Sequence, residues 1–253
     1  MGVLSTEGIL LRKYFLRETS YLITFFTKDY GKIKGVIKGV RNPYPQFAGN
    51  FEIFTRCHIL FYKKKKSHLD LITQCDMLDF FLPVRKEIRR LAYASYFIEL
   101  TDIATTDYDI NCQLYDTLVE CLRMLGVDPE IKNICRIFEI KLLQSAGLSP
   151  ELDMCSVCGS PPYDSKIFSV SSGGLVCGKC RRNTALCTEI SSGALNFMRQ
   201  IKKSELAKAV RFKASREVGA EIEEVLIKFL RYHINIPIKT LDFLGHLRKS
   251  GIA

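Results

Sequence analysis

Four cysteines in two pairs are the residues whose types and spacing most directly predict chemistry in this chain. Cys155 and Cys158 form one C-x2-C pair, and Cys177 and Cys180 form a second pair after 18 intervening residues. This spacing is typical of four-cysteine zinc sites, in which both sulfurs of each tight turn face one ion. Four thiolates fill the tetrahedral shell of zinc and leave no position for water. The pattern therefore predicts one structural Zn²⁺ ion.

Two alternatives compete with zinc, namely a redox-active C-x2-C pair and a set of unrelated thiols. A thioredoxin-type redox pair needs a βαβ context, which the surrounding sequence lacks. The other cysteines are scattered through the chain, at Cys57, Cys75, Cys112, Cys121, Cys135 and Cys187. Scattered thiols and one metal site suit a reducing cytoplasm better than a secreted disulfide framework, so we expect a cytoplasmic protein.

Lysines alternate with apolar residues in the stretch GKIKGVIKG. In a strand, this alternation sends Lys32, Lys34 and Lys38 to one face, which could follow a phosphate backbone. Antiparallel sheets also carry lysine on a solvated face without any ligand. Other cations extend the candidate nucleic-acid-binding set to Arg41, to Arg12 and Arg17 near the first strand, and to Lys63, Lys64, Lys65 and Lys66 in the loop before the fifth strand. Tyr44 and Tyr14 are the aromatic residues that we expect to be exposed enough to stack on bases.

Motifs of common enzymes are missing from the sequence. It contains no GxxxxGK[ST], no HExxH and no GxSxG, and its four histidines form no cluster. His58 and His68 fall in the strand-rich region, where we expect surface or packing roles. These residues therefore give no positive indication of catalysis. A metal-dependent nuclease whose acidic ligands meet only on folding stays an alternative.

The first 80 residues must position the basic set, and they have the pattern of a small β domain. Five runs rich in β-branched and aromatic residues, separated by turn signals, cover residues 8–14, 21–28, 31–40, 51–62 and 69–76. Five strands with no long helix predict a closed barrel. An OB-fold is the commonest such solution, and an SH3-like barrel is the alternative.

Apolar spacing changes to a helical period after Pro83. Asn111 is a plausible N-cap before a helix with an apolar stripe that ends at Leu125, a second helix opens at Pro129 and stops at Gly147, and Ser215 begins a third. We therefore predict an α+β multidomain protein: an N-terminal five-stranded OB-fold β-barrel (1–80), followed by an α-helical domain (81–150 and 187–253) with an inserted four-cysteine zinc module (151–186).

The formal net charge of +10 is unevenly distributed, with +6 in residues 1–80 and +5 in residues 187–253. Such basic ends point to a polyanionic partner. DNA, RNA bound by an accessory protein, or the acidic tail of a protein bound by an adaptor would each fit, and an acidic membrane surface or simple solubility would also fit the charge. The sequence contains no apolar run of the ~18–20 residues that span a bilayer, and its N-terminus lacks the order of a signal peptide, so we expect no membrane-spanning segment. We include no membrane among the expected partners.

Several longer stretches resemble the RecO family of bacterial recombination-mediator and DNA-repair proteins. The resemblance runs through EGILLR, ETSYLITFFTKDYGKIKGVIKGVRN, FEIKLLQSAGLSPELDMCSVCG, FSVSSGGLVCGKC and FLRYHINIPIKTLDFL, and so extends from one end of the chain to the other. GKIKGVIKGVRN and LLQSAGLSPELDMCSVCG are its most specific parts.

The resemblance implies an OB-fold, a helical domain and a cysteine zinc module in a protein that binds single- and double-stranded DNA and anneals complementary strands. It also implies a nucleoid-associated protein without catalytic activity. Such a protein acts with RecR to load RecA onto strands coated by single-stranded-DNA-binding protein. The acidic C-terminal tail of the single-stranded-DNA-binding protein docks on the helical domain. The resemblance assigns the DNA surface to Lys32, Lys34, Lys38 and Arg41, with Arg12 and Arg17 beside them. One departure is the loop GVRNPYPQFAG, which has two prolines where the family has a basic, serine-containing loop, so that Arg41 is its only cation.

Overall fold

The computed structural model describes residues 2–16, 20–38, 52–63, 69–161, 166–234 and 236–250. The chain divides into two compact units, one of residues 1–128 with 239–253 and one of residues 129–238. The predicted domain boundaries after residues 80, 150 and 186 lie where the type of secondary structure changes, whereas the two units are separated by the density of contacts. The predicted division into three domains stays a prediction.

Five strands close into a barrel at the N-terminus. They are β1 (Leu4–Leu16), β2 (Ser20–Thr27), β3 (Gly31–Lys38), β4 (Arg56–Tyr62) and β5 (Asp70–Asp79). Their order is β1-β2-β3-β5-β4, and β4 pairs with β1 to complete the ring. Only β3 and β5 run parallel, whereas the other pairs are antiparallel. This closed five-stranded barrel is OB-like and confirms the predicted fold class.

Successive side chains along each strand point alternately into the barrel and away from it, and the inward side chains form the barrel core. Phe25, Ile33 and Ile37 are completely buried inside the barrel, whereas Lys34 and Lys38 on the opposite face of β3 are exposed. Gly35 allows β3 to approach β5 closely, because a Cβ atom there would lie 2.8 Å from Cγ1 of Ile72. Hydrophobic burial and strand pairing thus fix which residues of β3 face outward.

Eight helices lie in the described residues: α1 (Leu82–Arg85), α2 (Ile88–Ala104), α3 (Cys112–Val127), α4 (Ile131–Ser145), α5 (Ser192–Lys203), α6 (Leu206–Ala209), α7 (Arg216–Ile234) and α8 (Lys239–Lys249). None of these described helices is long and apolar enough to cross a membrane. The Asn111 side chain accepts a hydrogen bond from the Leu114 amide (2.9 Å), and the Ser215 hydroxyl accepts one from the Val218 amide (3.3 Å). Both predicted caps are confirmed.

The first unit contains α1, α2, α3 and α8 beside the barrel. Helix α8 packs on α2, and the Glu99 carboxylate of α2 accepts hydrogen bonds from the amides of Lys239 (2.9 Å) and Thr240 (2.8 Å). A carboxylate at these two positions satisfies amides at the start of α8 that have no partner within the helix. The C-terminal helix is therefore fixed to the barrel unit.

The second unit combines α4, α5, α6 and α7 with a small sheet. Its strands are β6 (Ile167–Ser169), β7 (Gly174–Val176) and β8 (Cys187–Glu189), in the order β7-β6-β8, and a 3₁₀ turn covers Cys180–Asn183. Gly173 has a φ of +80° in the turn between β6 and β7, a left-handed conformation that glycine adopts without strain. Strands β6 and β7 lie between the two cysteine pairs in the sequence, and β8 follows the second pair.

Candidate four-cysteine centre and nucleic-acid interface

Tight turns present the four predicted cysteine ligands. The Gly159 amide donates to the Cys155 carbonyl (2.8 Å), and the Arg181 amide donates to the Cys177 carbonyl (3.0 Å), so that each C-x2-C pair is closed by a backbone hydrogen bond. Gly159 has a φ of +69°, a conformation that a residue with a side chain adopts only with strain. The local sequence thus folds each pair so that both sulfurs point the same way.

All four Sγ atoms lie within 4.8 Å of one another, and those of Cys158 and Cys177 are 3.8 Å apart. A tetrahedral zinc ion with Zn–S bonds of ~2.3 Å requires sulfurs about 3.8 Å apart. The residues therefore fit a four-coordinate metal ion. No other group of three or more histidine, cysteine or carboxylate side chains in the described ranges is arranged in this way.

Backbone amides around the cluster favour thiolates. Burial acts to raise the pKa of Cys155, but amide donors from Cys177, Cys158 and Val157 outweigh it and lower the pKa to about 6. A hydrogen bond with the Cys177 side chain instead raises the pKa of Cys180 to about 12. Neighbouring thiolates repel one another, so some sulfurs keep their protons unless a cation lies between them. The cluster has the chemistry of a cation site.

On the barrel, strand register defines an outer face of β1, β2 and β3. Paired residues point to the same side of a sheet, so three rows lie on this face. The rows are Arg12–Thr24–Lys34, Tyr14–Leu22–Val36 and Leu16–Ser20–Lys38. We call these nine residues the outer face. The predicted cations Arg12, Lys34 and Lys38 therefore share one surface.

Lys32 is the exception, and the expectation that it lies exposed beside Lys34 and Lys38 is wrong. Its side chain is buried, and its Nζ donates to the carbonyls of Asp102 and Thr105 (both 2.7 Å) and to the Asp102 carboxylate (3.2 Å). Asp102 and Thr105 lie at the C-terminal end of α2, where backbone carbonyls lack helical donors. Lys32 is buried because it caps the C-terminal end of this helix. We therefore exclude Lys32 from the candidate nucleic-acid interface.

The other described cations of the set are exposed, and most have partners. Lys34 forms an ion pair with Asp107 (2.8 Å), and Arg12 forms one with Asp102. Lys63 Nζ lies 3.9 Å from the centroid of the Tyr108 ring. Lys38 has no ion-pair partner within the described part of the chain. The remaining candidates lie outside the described residues: Arg17, Arg41, Tyr44, Lys64, Lys65 and Lys66.

Asp102 and Asp107 are residues of this surface that the sequence did not predict. They are about 70 positions away from their lysine partners in the chain, and nothing in the local sequence marks them. Of the two strand-region histidines, His58 shares a hydrogen bond of 2.8 Å with the Ser5 hydroxyl, and His68 lies outside the described residues.

Together, the fold and these two sites define a class of protein: an OB-like barrel with a cationic outer face, joined to a helical domain that holds a four-cysteine cluster. A family model described as Recombination protein O N terminal matches residues 1–81, and one described as Recombination protein O C terminal matches residues 85–242. The chain belongs to the Recombination protein O (RecO) family, as the sequence motifs predicted.

Curated relatives match the chain over nearly its full length. A protein named DNA repair protein RecO from Pelotomaculum thermopropionicum is 30% identical, over 99% of this chain and 96% of the relative. Proteins of the same name from Desulfatibacillum aliphaticivorans (31% identical, 98% and 99% covered) and Moorella thermoacetica (28% identical, 99% and 94% covered) are similar. The chain is thus similar to whole RecO proteins rather than to one domain of them.

Proposed function

We propose that this chain acts in DNA repair and homologous recombination by binding single- and double-stranded DNA on the outer face of its barrel and annealing complementary strands. The observation that carries the proposal is the presence of Arg12, Lys34 and Lys38 on one exposed face of an OB-like barrel in a RecO-family chain. The proposal needs no catalytic residue.

Charge explains how such a surface would anneal DNA. Two complementary strands repel each other through their phosphates, and bound cations lower that repulsion and hold the strands close. The Lys34–Asp107 pair is half exposed, and exposed ion pairs are worth at most about 1 kcal/mol. A phosphate can therefore replace Asp107 on Lys34 at little cost.

The number of cations predicts the salt dependence. Arg12, Lys34, Lys38 and Lys63 are the described candidates that remain, and each phosphate neutralised on a single strand contributes about −0.7 to the slope of log affinity against log salt. Four contacts predict a slope of about −3. Cations outside the described residues would make the slope steeper.

For the cysteine cluster, we propose one structural Zn²⁺ ion held by Cys155, Cys158, Cys177 and Cys180. Four sulfur ligands leave no open position, so the bound ion would cross-link the two turns without contacting a substrate. The donor set and the separation of the sulfurs support this assignment.

Membership of the family supports the proposed partners. We infer that the chain acts in the cytoplasm at the nucleoid, with RecR, to promote loading of RecA onto single strands coated by single-stranded-DNA-binding protein. The acidic tail of that coating protein would bind the helical domain.

The experiment measures DNA binding by fluorescence anisotropy and annealing of complementary oligonucleotides, with and without single-stranded-DNA-binding protein. Lys34→Glu with Lys38→Glu should weaken both single- and double-stranded DNA binding at least tenfold and slow annealing. The matched control is Lys228→Glu in α7, because Lys228 is also half exposed and also pairs with a carboxylate, that of Glu224. Equal losses in both variants, or none in either, would contradict the proposed surface. An RNA competitor of the same sequence tests preference for DNA.

A further inference from the structure

The end of β1 extends past the closed part of the barrel. β1 pairs with β4 only from Leu4 to Ile9, and the backbone of Leu10 bonds to Phe54 and Thr55. From Arg12 to Leu16, β1 pairs with β2 on one side, and no described strand pairs with its other edge. We call this end of the ladder, Arg12–Leu16 paired with Ser20–Thr24, the tip.

Two consecutive aromatic residues lie on this tip. The Tyr14 side chain is 56% exposed on the outer face, and the Phe15 side chain is 69% exposed on the opposite face. No other described Phe or Tyr is as exposed as these two. An aromatic ring that is more than half exposed offers a face on which a base can stack.

Cations lie in the rows on either side of Tyr14, and one cation lies near the Phe15–Tyr21 pair. The Tyr14 row of the outer face lies between the row that contains Arg12 and Lys34 and the row that contains Lys38. On the opposite face, the Phe15 ring lies 5.0 Å from the Tyr21 ring, and Lys13 Nζ lies 5.4 Å from the centroid of Tyr21. Exposed rings with cations nearby are complementary to a chain that alternates flat bases with phosphates.

We propose that Tyr14 and Phe15 stack on unpaired bases and so make the barrel prefer single-stranded over double-stranded DNA. The proposal rests on the proposed DNA-binding function and assigns the strand preference to these two residues. In a duplex, neighbouring base pairs cover the faces of each base, so only the phosphate contacts of Arg12, Lys34 and Lys38 remain. In a single strand, the bases turn outward and stack on the rings while the cations bind the phosphates.

Alanine variants separate stacking from charge. Tyr14→Ala and Phe15→Ala should each weaken binding of a single-stranded oligonucleotide about 5- to 150-fold. Affinity for a duplex of the same sequence should change by less than about twofold, and the salt slope should not change, because no phosphate contact is lost. Tyr14→Phe keeps the ring and should bind like the wild type. Because both side chains are exposed, the variants should keep the circular dichroism and melting temperature of the wild type.

The absence of tryptophan from the sequence allows a direct test of contact. Tyr14→Trp and Phe15→Trp each place a single tryptophan on the tip, and Tyr232→Trp places one at a similarly exposed position (49%) of the second unit. A base stacked on the indole quenches its fluorescence. Saturation with single-stranded DNA should quench the tip tryptophans, saturation with duplex should leave them bright, and the control should not respond to either.

The outcomes separate this proposal from the one on which it rests. If the wild type binds neither form of DNA, the proposed function fails. If it binds DNA but the alanine variants bind single strands normally and the tip tryptophans are not quenched, the stacking role of Tyr14 and Phe15 is wrong. Loss of RecR binding in those variants, with normal DNA affinity, would likewise overturn it and would identify the tip as a protein-docking surface. Equal losses for single strands and duplex would show that the tip does not set the strand preference.

Discussion

Replacing Lys32 with methionine should destabilise the barrel unit without removing a direct contact to DNA. Methionine keeps a long apolar stem in the buried position and removes only the ammonium group. In the wild type, Nζ donates to two carbonyls at the end of α2 and to the Asp102 carboxylate. The substitution leaves those carbonyls without a charged donor and leaves Asp102 paired with Arg12 alone.

The expected loss of stability depends on the burial of the Lys32–Asp102 ion pair. Removing one partner of a buried ion pair costs about 3–5 kcal/mol. Because Arg12 still pairs with Asp102, we expect the lower end, about 3 kcal/mol. In a chain of this size, each kcal/mol shifts the melting temperature by about 2–4 °C, so a fall of about 6–12 °C should follow.

Thermal melting followed by circular dichroism measures the stability, and anisotropy well below the melting transition measures DNA affinity. Lys34→Met is the matched control on the same strand. It breaks an exposed pair and should cost less than about 1 kcal/mol, but it should make the salt slope of single-strand binding shallower by about 0.7. If Lys32→Met instead melted like the wild type and bound DNA with a shallower slope, Lys32 would contact phosphate and our assignment of it as a helix cap would be refuted.

Two further outcomes are expected. Asp107→Asn removes the carboxylate that competes with phosphate for Lys34, so DNA should bind up to about fivefold tighter, as measured by anisotropy, whereas Glu224→Gln in the second unit should have no effect. Cys177→Ser should lower the zinc content below one ion per chain by mass spectrometry and destabilise the second unit by about 4 kcal/mol when free zinc exceeds its Kd a thousandfold. Cys187→Ser, which changes an exposed thiol outside the cluster, should change neither quantity, and a stable, zinc-loaded Cys177→Ser protein would contradict the closed four-sulfur site.

Much of the fold follows from local sequence because local interactions define it. The run YLITFFTK predicts β2 at residues 21–28, and the strand is Ser20–Thr27. Asn111 caps α3 through a hydrogen bond to an amide three residues away, so its identity and position suffice for the prediction. The four cysteines meet because each pair needs only one tight turn and the pairs need only one hairpin between them.

The spacing of apolar residues does not predict helix α2. Its 17 residues include buried side chains on several sides, among them Tyr93, Ala94, Tyr96, Phe97 and Ile98. A helix covered on more than one side has no single apolar stripe, and so the 3.6-residue pattern that predicted α3 does not appear. The sequence therefore does not reveal the element whose end covers Lys32.

The end of α2 also sets the free positive charge of the proposed DNA surface, and for this reason a count of the lysines overestimates that charge. Strand alternation correctly sends Lys32, Lys34 and Lys38 away from the barrel core, but whether an outward position meets water or another element depends on tertiary packing. Here α2 and the residues after it bring Asp102 and Asp107 against β3, where they bind Lys32, Lys34 and Arg12. A phosphate must displace Asp107 to reach Lys34 but has no described carboxylate to displace at Lys38. DNA affinity should therefore depend more strongly on Lys38 than on Lys34, although the two lysines are equivalent in the sequence pattern.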